Sequence, residues 1–195
     1  MDNCVSLREI EINNMNIIQS PSPNFNSRGG SIVDTVVIHC TDGTFPGDLG
    51  WLRNTASQVS SHYLVAPNGD IHQLVAEKDR AWCNGRVDKP TAKLKKNMVG
   101  GYVNPNDYTI SIEVSTRATD GIPVVQREAL KALVKDICTR NGIPVDRDHI
   151  WGHKEIYSLK TCPGTISVDM LVKDLAPAED KEAIKQQIRD LLAKL

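Results

Sequence analysis

Several features that would assign this chain to a broad class of protein are missing from its sequence. No stretch approaches the roughly 18 consecutive apolar residues that a membrane-spanning helix needs, so we expect no membrane span. The formal net charge is −1 and charged residues make up 24% of the chain. The chain as a whole therefore has no electrostatic attraction to nucleic acid or to anionic lipid.

The cysteines do not form the pattern of a disulfide-stabilised domain. Their number is odd and their spacing irregular, at Cys4, Cys40, Cys83, Cys138 and Cys162, which agrees with a reducing compartment. The first eleven residues carry acidic side chains where a signal peptide has an apolar run. We therefore expect synthesis in the cytoplasm without a signal peptide, and the Cys162 thiolate then stays available for a metal.

The hydrophobic pattern predicts an α/β fold in which a mixed central sheet is flanked by helices. With 195 residues, one main domain with short appendages is expected. We predict strands at 33–40, 61–66, 71–75, 108–115 and 149–152, and helices at 48–57, 124–140 and 168–175. The predicted division is a loosely organised leader (1–30), a main domain (31–176) and a C-terminal amphipathic helix (177–195).

Three residues that lie far apart in the sequence have side chains that bind zinc. His39 ends an apolar strand, His153 follows another predicted strand, and Cys162 comes nine positions after His153. Two imidazoles and a thiolate are good Zn²⁺ ligands, and three protein ligands leave one tetrahedral position open, as a catalytic zinc requires. Taken singly, each residue has an ordinary alternative as a satisfied histidine or a buried thiol. The set as a whole predicts a zinc hydrolase.

Six short motifs occur in a fixed order along the chain. They are Val36–His39, Val59–Val65 with the turn Pro67–Asp70, Arg80–Trp82, Asn106–Glu113, Trp151–His153 and Lys160–Gly164. With these motifs, residues 32–175 resemble the zinc-dependent N-acetylmuramoyl-L-alanine amidases. That family includes phage endolysins, bacterial wall and wall-recycling amidases, and peptidoglycan recognition proteins. The resemblance implies that the main domain has the fold of this family.

The resemblance implies roles for individual residues. Glu113, on the polar face of its strand, corresponds to the family's general base. Lys160, two residues before Cys162, corresponds to the lysine that stabilises the oxyanion. His39, His153 and Cys162 correspond to the zinc ligands. The predicted substrate-binding residues are Ser61, His62, Tyr63, Trp82, Cys83 and Asn84.

Two positions depart from the family pattern. In the phage and animal branches a catalytic tyrosine precedes the position of His62, and this chain has Ser61 there, with Tyr63 two residues later. The base role therefore falls more firmly on Glu113. In many relatives a histidine follows the Ala-Trp dipeptide, and here a thiol, Cys83, replaces that imidazole.

The implied activity is hydrolysis of the amide bond between N-acetylmuramic acid and L-alanine in peptidoglycan or a muropeptide. A phage or prophage endolysin, acting on the wall after release, is the favoured setting. A cytosolic anhydromuropeptide-recycling amidase and a non-catalytic recognition module are the alternatives. The tail carries an apolar stripe that would dock on the main domain or pair with a second copy, formed by Ile184, Ile188, Leu191, Leu192 and Leu195.

Overall fold

The computed structural model describes Met15, residues 17–176, and residues 189, 190 and 192. The described strands are β1 (Ile17–Gln19), β2 (Phe25–Ser27), β3 (Thr35–Cys40), β4 (Tyr63–Val65), β5 (Ile71–Gln73), β6 (Asp79–Ala81), β7 (Thr109–Val114) and β8 (Ile150–Gly152). The described α-helices are α1 (Gly47–Leu52), α2 (Val124–Asn141) and α3 (Val168–Leu175). The predicted mixed α/β architecture is confirmed.

Six strands form the main sheet in the order β1-β5-β4-β7-β3-β8. Strand β3 is parallel to β7 on one side and to β8 on the other. Strands β4 and β5 form an antiparallel hairpin, as the turn at Pro67–Asp70 predicts. Because β7, β3 and β8 run in the same direction, their carboxyl ends share one edge of the sheet.

One face of the sheet, here called the helix face, is packed with apolar side chains under α2 and α3. Alternate residues of the central strands point to this side, among them Ile38, Ile110, Ile112 and Val114, and they meet Leu133 and Ile137 of α2. Helix α2 ends where Gly142 adopts a left-handed conformation with φ 65°, as the Asn-Gly pair predicts. At α3, the Ser167 side chain accepts a hydrogen bond from the backbone N–H of Met170, so Ser167 is the N-cap of this helix.

The opposite face, here called the loop face, is covered by α1 and by the long segment between β5 and β7. A smaller apolar cluster lies here around Val37, Tyr108 and Trp151. Apart from the short strand β6 and a 3-10 turn at Pro105–Asp107, the covering segment is irregular, as its lack of hydrophobic periodicity predicts. The loop face is where polar side chains of β3 and β7 point.

The N-terminal segment differs from the expected loosely organised leader. Strand β1 pairs in parallel with β5, and β2 pairs antiparallel with β6, so the chain from Ile17 is part of the folded unit. The pattern misses these strands because each has only three residues, too few to show a period. Residues 1–14 lie outside the described part, as does most of the predicted C-terminal helix.

Within the described residues, no helix combines the length and the apolar character needed to cross a membrane.

Candidate active site

The strand order brings the predicted site residues together at one edge of the sheet. His39, near the end of β3, is paired in register with Glu113 of β7. On the other side of β3, Ile38 is paired with Gly152 of β8, and His153 follows directly. Two residues that are 114 positions apart thus flank one another, because parallel strands end at the same edge.

The three predicted metal ligands converge. The nitrogen and sulfur ligand atoms of His39, His153 and Cys162 all lie within 4.8 Å of one another. The two imidazole rings have their centroids 4.6 Å apart. The backbone N–H of Cys40 donates to Cys162 Sγ at 3.1 Å, which holds the sulfur beside the end of β3.

The environment of these side chains suits a zinc ion. Burial, followed by the charge of His153, holds the pKa of His39 well below its usual value. Burial and the nearby Lys160 lower the pKa of His153 to about 4, so both imidazoles are neutral near pH 7 and can donate a lone pair. Contact with the Cys40 thiol and burial raise the pKa of Cys162, so metal binding must displace a proton there. Two neutral imidazoles and a buried thiol form a donor set that fits Zn²⁺.

Glu113 stands beside this donor set. Its Oε1 lies 3.9 Å from His39 Nδ1, and its side chain is only 12% exposed. Among the described residues, its buried Oε2 has no hydrogen-bond partner. Burial, with a contribution from the charge of Cys40, raises the pKa of Glu113 to about 8. A carboxyl group with a pKa near neutrality can both take up and release a proton during a reaction.

These groups open into a cleft of about 480 Å³. Of the residues predicted from the sequence, the cleft is lined by His39, Trp82, Cys83, Glu113, His153, Lys160 and Cys162. Lys160 is exposed at its margin. Its positive charge is close enough to lower the pKa of both histidines.

The predicted substrate-binding residues Ser61, His62, Tyr63 and Asn84 do not line the cleft. Tyr63 is paired with Ile112 and thus points to the helix face, where its hydroxyl donates to Glu77 Oε1 at 2.8 Å. Ser61 is buried and donates to the carbonyl oxygen of Tyr63. The prediction of direct substrate contact for this segment therefore differs from the structure, since neither side chain is among those that line the cleft.

The side chains of His62 and Asn84 lie on the loop-face side of the sheet but are buried below the protein surface. His62 is 1% exposed and its Nδ1 accepts the backbone N–H of Ser111. Asn84 is 0% exposed and donates to the hydroxyl oxygens of Thr109 and Ser111 at 3.0 and 2.7 Å. Both residues connect neighbouring segments to β7 by hydrogen bonds. These bonds hold in place the strand that carries Glu113.

Arg28 completes this support, although no sequence motif marks it as a site residue. Although charged, it is only 5% exposed. Its guanidinium donates to the carbonyl oxygens of Glu77, Asn106, Asp107 and Thr109, and Nη2 lies 2.6 Å from His62 Nε2. Its carbonyl partners lie 49 to 81 positions away along the chain, which no local motif reveals.

The cleft walls also include residues that the sequence analysis did not single out. Trp51 of α1 and Leu159 line the cleft and are 58% and 75% exposed. Asp48 is buried at the base of α1, where it accepts hydrogen bonds from Thr41 and Ser115. A tryptophan in the short segment 47–52 is the sequence signal that could identify this wall.

Comparisons with known proteins agree with this arrangement. The sequence model of the family described as N-acetylmuramoyl-L-alanine amidase matches residues 29–165. N-acetylmuramoyl-L-alanine amidase A of Achromobacter lyticus is 32% identical over 130 residues, which is 65% of this chain and 63% of that protein. This chain therefore spans less than two thirds of that relative's length.

Two solved structures are similar in fold. An AmpD derivative superimposes with a TM-score of 0.66 at 23% identity, over 83% of this chain and 95% of its own. The E. coli amidase AmiD superimposes with a TM-score of 0.53 at 30% identity, over 69% of this chain and 52% of its own. AmiD was solved with its substrate, anhydro-N-acetylmuramic acid-L-Ala-D-γ-Glu-L-Lys.

Proposed function

The chain belongs to the N-acetylmuramoyl-L-alanine amidase family, and we propose that it hydrolyses the amide bond between the lactyl group of N-acetylmuramic acid and the L-alanine of the stem peptide. The observation that carries this proposal is the position of Glu113. Its Oε1 is 3.9 Å from a nitrogen of His39, which itself belongs to a group of three zinc-ligand side chains. A proton-transfer group beside such a donor set is what metal-assisted amide hydrolysis requires.

His39, His153 and Cys162 would hold the zinc ion. When bound, zinc acts as a Lewis acid that polarises the amide carbonyl and makes water a better nucleophile. The protein's own residues handle the protons and the charge. Glu113 takes a proton from the attacking water and returns one to the leaving amine, a cycle that suits its pKa of about 8. Lys160, exposed at the margin of the cleft, stabilises the negative charge on the former carbonyl oxygen.

The digestion products test the activity. We expect purified peptidoglycan treated with the protein to release free L-alanine amino termini without new reducing sugar ends, because an amide and not a glycosidic bond is cut. New reducing ends would instead identify a glycosidase. Binding to the wall with no cleavage, even with added zinc, would favour a recognition module.

Elemental analysis tests the zinc site. The purified protein should contain about one zinc ion per chain, and the Cys162→Ala variant should lose it. The matched control is Cys138→Ala, which also removes a thiol but lies on the buried face of α2, in the apolar core. Full zinc occupancy in Cys162→Ala would exclude this residue as a ligand.

Two biological settings suit this chemistry. An endolysin acts on the polymeric wall, and the exposed rim residues Trp51 and Leu159 support a large substrate because they extend the contact surface beyond the reacting bond. A recycling amidase acts on soluble anhydromuropeptides, and the ligand solved in AmiD supports that class of substrate. The ratio of kcat/KM for intact sacculi to kcat/KM for an anhydromuropeptide separates the two settings, with a preference for sacculi expected of an endolysin.

A further inference from the structure

The cleft contains a thiol to which the proposed mechanism gives no role. Cys83 follows β6 and lies between a proposed zinc ligand and the proposed base. Its Sγ is 3.4 Å from His39 Nε2 and 3.7 Å from Glu113 Oε1. Both distances are within hydrogen-bond range for sulfur, so one small side chain contacts both partners.

The numbers of protons and lone pairs determine the direction of these two hydrogen bonds. Glu113 Oε1 accepts the single S–H proton of Cys83, and Oε2 is left to carry the carboxyl proton when Glu113 is protonated. The sulfur can then only accept from His39, and the proton of the neutral imidazole must therefore be on Nε2. The lone pair is left on Nδ1, the other ring nitrogen, which is free to bind a metal.

The backbone around Cys83 is fixed to the strand that carries Glu113. The N–H groups of Cys83 and Asn84 both donate to Asn106 Oδ1, at 3.2 and 2.6 Å. The Asn84 side chain donates to Thr109 and Ser111 of β7. The thiol is thus held at a constant position relative to β7 before any ligand binds.

We propose that Cys83 is a positioning residue that fixes the Nε2–H tautomer of His39 for metal binding and holds the Glu113 carboxylate in place for proton transfer. Its effect on turnover rests on the proposed function. Its effect on metal affinity does not, since zinc binding is measured without substrate. Failure of the proposed function is therefore distinguishable from failure of this inference.

Zinc affinity is the first test. Affinity is measured by competition with a chromophoric chelator for the wild type, Cys83→Ala, Cys83→Ser and the control Cys138→Ala. We expect Cys83→Ala to weaken zinc binding about 10- to 100-fold, the usual effect of removing a hydrogen-bond partner of a ligand histidine. Cys83→Ser should recover most of the affinity, because a hydroxyl also donates and accepts.

The control separates this role from packing. Cys138→Ala removes a thiol from the apolar core, away from the cleft, so it should lower the melting temperature and leave zinc affinity unchanged. Wild-type zinc affinity in Cys83→Ala would overturn the tautomer half of the proposal. If Cys83→Ala does not fold, Cys83→Val, which fills the space without a donor or an acceptor, takes its place in the comparison.

A double-mutant cycle tests the second half with zinc-saturated proteins. Cys83→Ala should lower kcat by about 10- to 100-fold with little change in KM. In a Glu113→Gln background it should cause almost no further loss, because its route to the reaction has been removed. Equal fold losses in both backgrounds would overturn the link to Glu113. If the wild type cleaves no peptidoglycan at all, the proposed function fails, and the zinc titration alone decides the tautomer half.

Discussion

The two faces of the central sheet are made from the same strands but are built in opposite ways. On the helix face, Ile110, Ile112 and Val114 of β7 are fully buried against α2 and α3. On the loop face, Thr109, Ser111 and Glu113 of the same strand lie among hydrogen-bonded polar groups. One strand therefore contributes its even-numbered residues to the core and its odd-numbered residues to the site.

This difference indicates how the fold can support reactive side chains. The helix face supplies apolar burial, so the loop face can bury His39, His62 and Asn84 as long as their polar atoms have partners. Arg28, Asn84 and Asn106 supply many of those partners and connect separate segments to β7. Substitutions on the helix face should therefore affect mainly stability, and substitutions of the loop-face residues that line the cleft should affect mainly chemistry.

Two adjacent residues of β7 give the sharpest test of this contrast. Glu113→Gln should lower kcat by about 10²- to 10⁴-fold, the typical effect of losing a general base, with zinc content and melting temperature close to wild type. Ile112→Ala, one residue away on the other face, should cost about 2–5 kcal/mol of unfolding free energy while the remaining folded protein keeps its kcat. Kinetics and urea unfolding of both variants measure this. A Glu113→Gln variant with near wild-type turnover would place the base elsewhere.

Lys160 should follow in size of effect. Lys160→Ala is expected to lower kcat by about 10²- to 10³-fold, as for deletion of one oxyanion donor, and to leave zinc bound. Lys154→Ala is the matched control, because Lys154 is also an exposed lysine close in sequence but does not line the cleft. Steady-state kinetics of the pair decide the question. Equal losses of kcat in the two variants would argue that Lys160 acts only through its general positive charge.

The sequence could predict the contrast between the faces but only part of the loop face. Alternation in β7 identifies which side Glu113 occupies, and the spaced ligands His39, His153 and Cys162 are recognisable by residue type. The motif that contains Ser61–Tyr63 predicts substrate contact for this segment, whereas its side chains serve the fold. The structural role of Arg28 depends on carbonyl groups from distant loops, which become neighbours only after folding.

Acid should lower the free energy of unfolding through His62, which is buried on the loop-face side of the sheet. Burial and the charge of Arg28 lower the pKa of His62 to about 3, while the unfolded chain has a histidine pKa of about 6.5. Between these values the unfolded state binds more protons, so this stabilising contribution is present above about pH 6.5 and is lost as the pH falls toward 3. From pH 7 to pH 5 the loss from His62 should be about 2 kcal/mol.

The measurement is the free energy of unfolding at pH 7 and pH 5, for the wild type and His62→Gln with saturating zinc. Both proteins keep His39 and His153, so the difference between their pH dependences isolates His62. We expect the variant to be less stable at pH 7 and to lose less stability on acidification. Parallel pH profiles would show that His62 does not stay neutral in the folded protein.

The smallest expected effect concerns two exposed apolar residues, one on each side of the sheet, that should differ in their contact with the substrate. Trp51 on the cleft wall and Val124 at the start of α2 are 58% and 70% exposed, so neither contributes much to the core. Trp51→Ala should raise KM for peptidoglycan about 3- to 10-fold, roughly 0.7 to 1.4 kcal/mol of binding, with kcat unchanged because the contact is the same in the ground and transition states. Val124→Ala should change neither constant, because it lies away from the cleft. If Trp51→Ala lowers kcat instead of raising KM, the tryptophan contributes to the reacting geometry, and the cleft wall is then part of the chemistry and not only a surface that holds the substrate.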